Sequence, residues 1–217
     1  MPAPVLPWMD RTQHGGYVAW TSLLAANGAV FGWWQVGNKR VMHENFLCGR
    51  LQLRHGRWHT LLTSCISHQR PVHFVFNSCG LWTIGWVAAE KLSNTELAGL
   101  CTFCGISSAA GHVLLHREPV LGASGMLMGL LFAGSALQPE RRFSMIPFPM
   151  TFSLSELADT VLLCNLLGWA LKRFRPFASV AWASHVAGAA AGLAVASAAR
   201  AAGDQRFQRP KWIGERP

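Results

Sequence analysis

Three short stretches of this chain bring together residue types that hydrolytic chemistry uses. Gly122-Ala123-Ser124-Gly125 sets a hydroxyl among small residues. Further along, Ser184-His185-Val186-Ala187-Gly188 opens a Gly/Ala run that continues to Gly192. A serine hydroxyl is a weak nucleophile until a base takes its proton, and a histidine on a neighbouring helix is suited to that task. The third stretch, His73-Phe74-Val75-Phe76-Asn77, places an imidazole and an amide one helical turn apart on one face. Both are suitable donors to an oxyanion.

Taken singly, each signal has a plainer reading. A serine between glycines is commonly a small-residue packing site, and Gly188 with Gly192 is a familiar helix-contact pattern. His73 alone reads equally well as an interfacial side chain. A histidine inside an apolar span is harder to explain by packing, because an ionisable group there is costly and tends to serve function.

The elements that hold these residues are apolar segments. With 51% hydrophobic residues and 13% charged, a chain of 217 residues is too apolar for an ordinary soluble domain. Its mean hydropathy of +0.23 is modest because polar residues collect in one long loop and two tails. The reading is all-α: a polytopic membrane protein of six transmembrane helices. The expected spans are Gly16–Val36, Val72–Ala89, Glu96–Leu115, Gly122–Leu137, Glu156–Leu171 and Phe177–Ala199. Trp33-Trp34 fits the aromatic belt of the first. Pro71 suits the first turn of the second, and Ser153 and Ser155 are candidate caps for the fifth. The expected layout is a tail at residues 1–15, a membrane domain at 16–199 and a basic tail at 200–217. Residues 37–71 form a long, partly buried amphipathic loop at the interface.

Net charge is +9, yet the basic residues flank apolar segments, where headgroup anchoring accounts for them and nucleic acid is not expected as a partner. Lys and Arg divide almost evenly between the two faces, so the charge rule does not orient the bundle. The six cysteines are scattered, and Cys101-Thr-Phe-Cys104 lacks a second pair, so no metal or other cofactor is expected. Met1–His14 lacks the basic and apolar regions of a signal peptide. Glu156 and Asp159, at a helix start, read as dipole and interfacial residues rather than an acid pair.

Helix direction then tests the constellation. With six alternating spans, the second, fourth and sixth all begin on the side of the long loop. His73 and Ser124 lie near such starts, and His185 lies about 12 Å below the start of the sixth at 1.5 Å per residue. Gly125, Gly129, Gly188 and Gly192 would let the two backbones approach closely enough for a short serine–histidine bond.

On these motifs the chain resembles the rhomboid intramembrane serine proteases. That family carries G-x-S-G on the fourth core helix, H-x-x-G-x-x-x-G on the sixth and H-x-x-x-N on the second. The resemblance runs over about Trp58–Ala199 and includes Trp58 and His68 where the first loop leads into the second helix. It implies that Ser124 is the nucleophile and His185 its base, in a dyad without a third acid. It also implies that His73 and Asn77, with the Ser124 amide, hold the oxyanion, while Gly122, Gly125, Gly188 and Gly192 pack the site. Substrates would be transmembrane segments of membrane-anchored proteins, and water must reach Ser124. The chain departs from the family pattern at Trp58-His59, Met128, Ser184 and Glu90. Ile146-Pro-Phe-Pro-Met-Thr-Phe152, Asp159-Thr160 and Leu167-Gly-Trp169 look most like the mitochondrial presenilin-associated rhomboid-like branch, which implies the mitochondrial inner membrane. A contrasting expectation is an inactive rhomboid-like scaffold or subunit of a larger membrane complex.

Overall fold

Gly16 and Gly37 bracket the first long helix, α1 (Tyr17–Val36); the chain turns extended at Gly37, where a Cβ would strike the Trp33 indole. The computed structural model describes residues 15–145, 150–171 and 180–207. Among them, the long loop carries α2 (Lys39–Asn45), α3 (Arg50–Arg54), α4 (Thr60–Thr63) and a 3-10 turn (Ser64–Ile66). The remaining helices are α5 (Pro71–Ala89), α6 (Asn94–Leu115), α7 (Ser124–Leu137), α8 (Leu154–Ala170) and α9 (Trp182–Ala201). A two-stranded antiparallel hairpin, β1 (Arg142–Met145) and β2 (Met150–Ser153), joins α7 to α8. The sequence reading had no strand here.

Local chemistry explains the helix starts. Pro71 occupies the first turn of α5 behind an extended Arg70, where its missing N–H costs nothing. Ser93 and Glu96 form a reciprocal capping box on α6, and Ser153 and Glu156 form another on α8. Ser153 is therefore the α8 cap, and Ser155 is not. α7 begins without a side-chain cap, and Ser124 is its first residue. The N–H groups of that first turn consequently have no acceptor within the helix.

α7 is the central helix. Eleven of its fourteen residues are buried, because α5, α6, α8 and α9 pack around it. Leu130, Met126 and Ala133 lie in a core shared with Leu81, Leu97, Leu154 and Ala196. α1 docks on α5 through Trp20, whose indole donates to the Leu81 carbonyl at 2.9 Å and fills the space that Gly85 leaves.

The surface is the reverse of a soluble protein's. Phe76 and Trp82 on α5, Phe103 and Ile106 on α6, and Leu163 and Leu166 on α8 are exposed. Asn77, Ser108, Asn165 and Ser184 face inward. Apolar side chains outside and hydrogen-bonded polar ones inside are what a lipid solvent selects.

Among the described residues three helices, α5, α6 and α9, are long and apolar enough to cross a membrane, and α7 is a shorter apolar helix. α1 has the length without the apolarity, and α8 stops at 17 residues. The helix that carries His185 starts at Trp182; the expected start of the sixth segment, Phe177, lies outside the described residues together with Lys172, Arg173 and Arg175. His185 is thus in the first turn of its helix, which corrects the depth expected from sequence.

The long loop is ordered by backbone and side-chain bonds. Cys48 and Val120 exchange N–H···O bonds of 2.9 and 2.7 Å, pinning the loop to the segment before α7. Arg50 donates to the carbonyls of Val113 and Leu114 at 2.9 Å each, placing a cation on the open C-terminal end of α6. At the opposite end of α5, Glu90 accepts from Trp86, Gln138 and Arg141.

Candidate active site

The site is built where the first turns of α7 and α9 meet. The backbones are in contact there: a Cβ on Gly188 would lie 1.9 Å from the Gly125 carbonyl oxygen, and one on Gly192 would lie 2.2 Å from that of Gly129. Only glycine allows this approach. It brings the half-buried Ser124 Oγ and His185 Nε2 to 2.8 Å.

The other ring nitrogen of His185 is also engaged. Its Nδ1 lies 2.6 Å from Oδ1 of Asn165, a buried residue of α8. Asn165 Nδ2 donates to the Val161 carbonyl at 2.7 Å and lies 3.9 Å from Met128 Sδ. A dyad standing alone was expected, and the structure adds this amide to it. The signal available in the sequence was a polar residue in the apolar run of α8.

Gly122, two residues before the serine, has φ of +122°, a conformation that residues with a Cβ rarely adopt. Its N–H donates to the Ser64 carbonyl at 2.9 Å. The His73 ring covers its Cα so closely that a Cβ would meet His73 Cε1 at 2.6 Å. The next N–H, of Ala123, donates to Nε2 of fully buried His68 at 3.2 Å. That bond requires an unprotonated Nε2, and burial together with the neighbouring His73 pushes the His68 pKa below its ordinary value. The His68 and His73 rings meet edge to face at 5.0 Å.

Asn77 Nδ2 donates to the His73 carbonyl at 2.9 Å, and its buried Oδ1 has no partner among the described residues. His73 is therefore placed against the turn that carries Ser124, while Asn77 is turned back on its own helix. Gly125 sits over the buried Ser108–Ser184 pair, whose hydroxyl oxygens are 2.6 Å apart. The Ser184 departure thus ties α9 to α6 beneath the site, and Met128 supports the Asn165 amide.

Among the described residues no three His, Cys, Asp or Glu side chains converge as a metal set. Cys101 and Cys104 are free buried thiols.

The architecture is that of a helical membrane protein with an inward-facing serine–histidine pair between two closely packed helices. The chain belongs to the rhomboid family: the rhomboid domain model matches residues 55–201. It is 28% identical over 137 residues to "RHOMBOID-like protein 12, mitochondrial" of Arabidopsis thaliana, covering 54% of this chain and 41% of that one. It is 27% identical over 181 residues to human "Presenilin-associated rhomboid-like protein, mitochondrial", covering 75% and 45%. "Rhomboid protease GluP" of Bacillus subtilis is 28% identical over 78 residues, 36% of this chain and 15% of that one. The chain therefore spans less than half the length of these relatives.

Proposed function

We propose that this protein is an intramembrane serine endopeptidase that cuts transmembrane segments of membrane-anchored proteins. The observation that carries the reading is the 2.8 Å approach of Ser124 Oγ to His185 Nε2 on glycine-packed helices. In this reading α1 and α5 to α9 form a six-helix membrane domain over residues 16–199, with the 37–71 loop at one face and tails beyond it.

The chemistry follows from the geometry. Ser124 Oγ attacks the scissile carbonyl carbon as its proton passes to His185 Nε2. The oxyanion that forms takes hydrogen bonds from the open N–H groups at the start of α7, with His73 as a side-chain donor; Asn77 joins it only by turning its amide from the His73 carbonyl toward the site. Collapse breaks the C–N bond, and the departing amine takes the proton from His185. Water then enters, gives a proton to His185 and adds hydroxide to the acyl carbon, and Ser124 recovers its proton as the new C-terminus leaves.

In a helix the scissile carbonyl is bonded to the N–H four residues on and enclosed by its own turns, so the substrate helix must unwind locally near Ser124 for this attack. The mitochondrial names of the plant and human relatives and the branch resemblance of Asp159-Thr160 and Leu167-Gly-Trp169 support action in a mitochondrial membrane, which in this reading is the inner one.

Cleavage of a membrane-anchored reporter in proteoliposomes, together with labelling by a fluorophosphonate, tests the activity. Wild-type protein should cleave and label, while Ser124→Ala and His185→Ala should do neither and remain folded. A folded wild type that does not label, and that purifies with a stable membrane partner, would instead identify a binding scaffold or complex subunit.

A further inference from the structure

We infer that Asn165 is a positioning residue for His185, completing a serine–histidine–asparagine relay across α7, α9 and α8. The inference rests on the protease reading and adds to it a residue outside the serine–histidine pair.

The direction of each bond can be deduced. Val161 O only accepts, so the Asn165 atom 2.7 Å from it is the amide nitrogen. The atom facing His185 Nδ1 at 2.6 Å is then the amide oxygen, which also only accepts. Nδ1 must therefore carry the ring proton, and Nε2 of the neutral imidazole is left with its lone pair toward Ser124 Oγ, 2.8 Å away. That is the tautomer a general base for Ser124 needs. Glycine packing alone brings the helices together but does not select it.

Asn165 is itself held. It is buried, tied to its own helix through Val161 and backed by Met128, and the Trp182 ring stands nearly perpendicular to the His185 ring with centroids 6.0 Å apart. The ring thus has one orientation in which both nitrogens are satisfied. An amide also suits the site better than a carboxylate. Its oxygen dipole favours the proton-bearing Nδ1 and the imidazolium formed during attack, without a second ionised group buried among lipid-facing helices. Asparagine fills the same place in Cys-His-Asn proteases on unrelated folds.

The test uses the full chain in proteoliposomes with the membrane-anchored reporter. Asn165→Leu keeps the volume and removes the acceptor, and should lower kcat about 10–100-fold with KM nearly unchanged. It should slow fluorophosphonate labelling of Ser124 in parallel. Asn165→Asp restores an acceptor and should recover part of kcat relative to Asn165→Leu. Histidine 15N NMR of the wild type at neutral pH should show His185 protonated at Nδ1 and bare at Nε2, which stands even where a variant does not fold. Full kcat in folded Asn165→Leu, or an Nε2–H tautomer, overturns the role while leaving the protease reading intact. A wild type that neither cleaves nor labels overturns both.

Discussion

Gly188 on α9 rests on the carbonyl of Gly125 on α7, so close that a Cβ would lie 1.9 Å from that oxygen. The serine–histidine distance is inherited from this contact, because Ser124 and His185 are each within one turn of it. Gly188→Val must push the helices apart. It should destabilise the fold by about 1–3 kcal/mol or more, the range for overpacking. Thermal unfolding in detergent and loss of Ser124 labelling would register it. Gly99 provides the contrast, since a Cβ there meets nothing within 4 Å. Gly99→Ala should leave unfolding unchanged or slightly raised, as expected for an unhindered helix glycine.

Gly122 poses a different constraint. Its φ of +122° is unfavourable for alanine at about 1–3 kcal/mol, and the added methyl would also strike the His73 ring. Gly122→Ala should therefore lower the unfolding midpoint and slow labelling of Ser124. His73→Ala in the same chain removes the collision but not the backbone strain, so it should restore stability only in part. Full recovery in the double variant would show that sterics, and not φ, set the requirement.

The fold was legible in the sequence to the extent that it depends on apolar length and helix punctuation. Pro71 and the Ser153 cap marked helix starts from local chemistry alone, and the glycines of α7 and α9 announced a close crossing. Asn165 was missed because its role depends on facing His185 from another helix, and nothing in its own neighbourhood records that contact. The break just before Trp182 was missed because Val180-Ala181 is as apolar as the helix that follows. The β1–β2 hairpin was missed for a related reason, since a proline-rich apolar stretch gives no clear period. The loop helices are held by long-range bonds such as Arg50 to Val113, which no local pattern carries.

His68 gives the turn before Ser124 a pH dependence. Its folded pKa is held below the ordinary 6.5, because burial opposes the charge and Nε2 is occupied by the Ala123 N–H. The unfolded chain therefore binds a proton that the folded one refuses. The contribution of this group to stability is fully present above about pH 6.5 and declines as pH falls below it. Wild-type unfolding midpoints should drop between pH 7 and 5. His68→Gln, which cannot titrate, should have a lower midpoint at pH 7 and a flatter profile across that window. Parallel profiles would assign the acid sensitivity to other groups.

The Ser108–Ser184 hydroxyl pair links α6 to α9 directly beneath Gly125, with 2.6 Å between oxygens and both residues buried. Removing one hydroxyl leaves the other buried without that partner, whereas removing both leaves an apolar contact of nearly the same shape. Ser184→Ala or Ser108→Ala alone should each cost about 1–2 kcal/mol, and the double variant should cost clearly less than their sum. The coupling follows from the cycle of unfolding free energies in one detergent. Because Gly125 lies against both hydroxyls, each single variant should also slow labelling of Ser124, and the double variant should recover much of the rate. Additive losses in stability and labelling would mean that the two serines contribute separately, through packing rather than through their mutual bond.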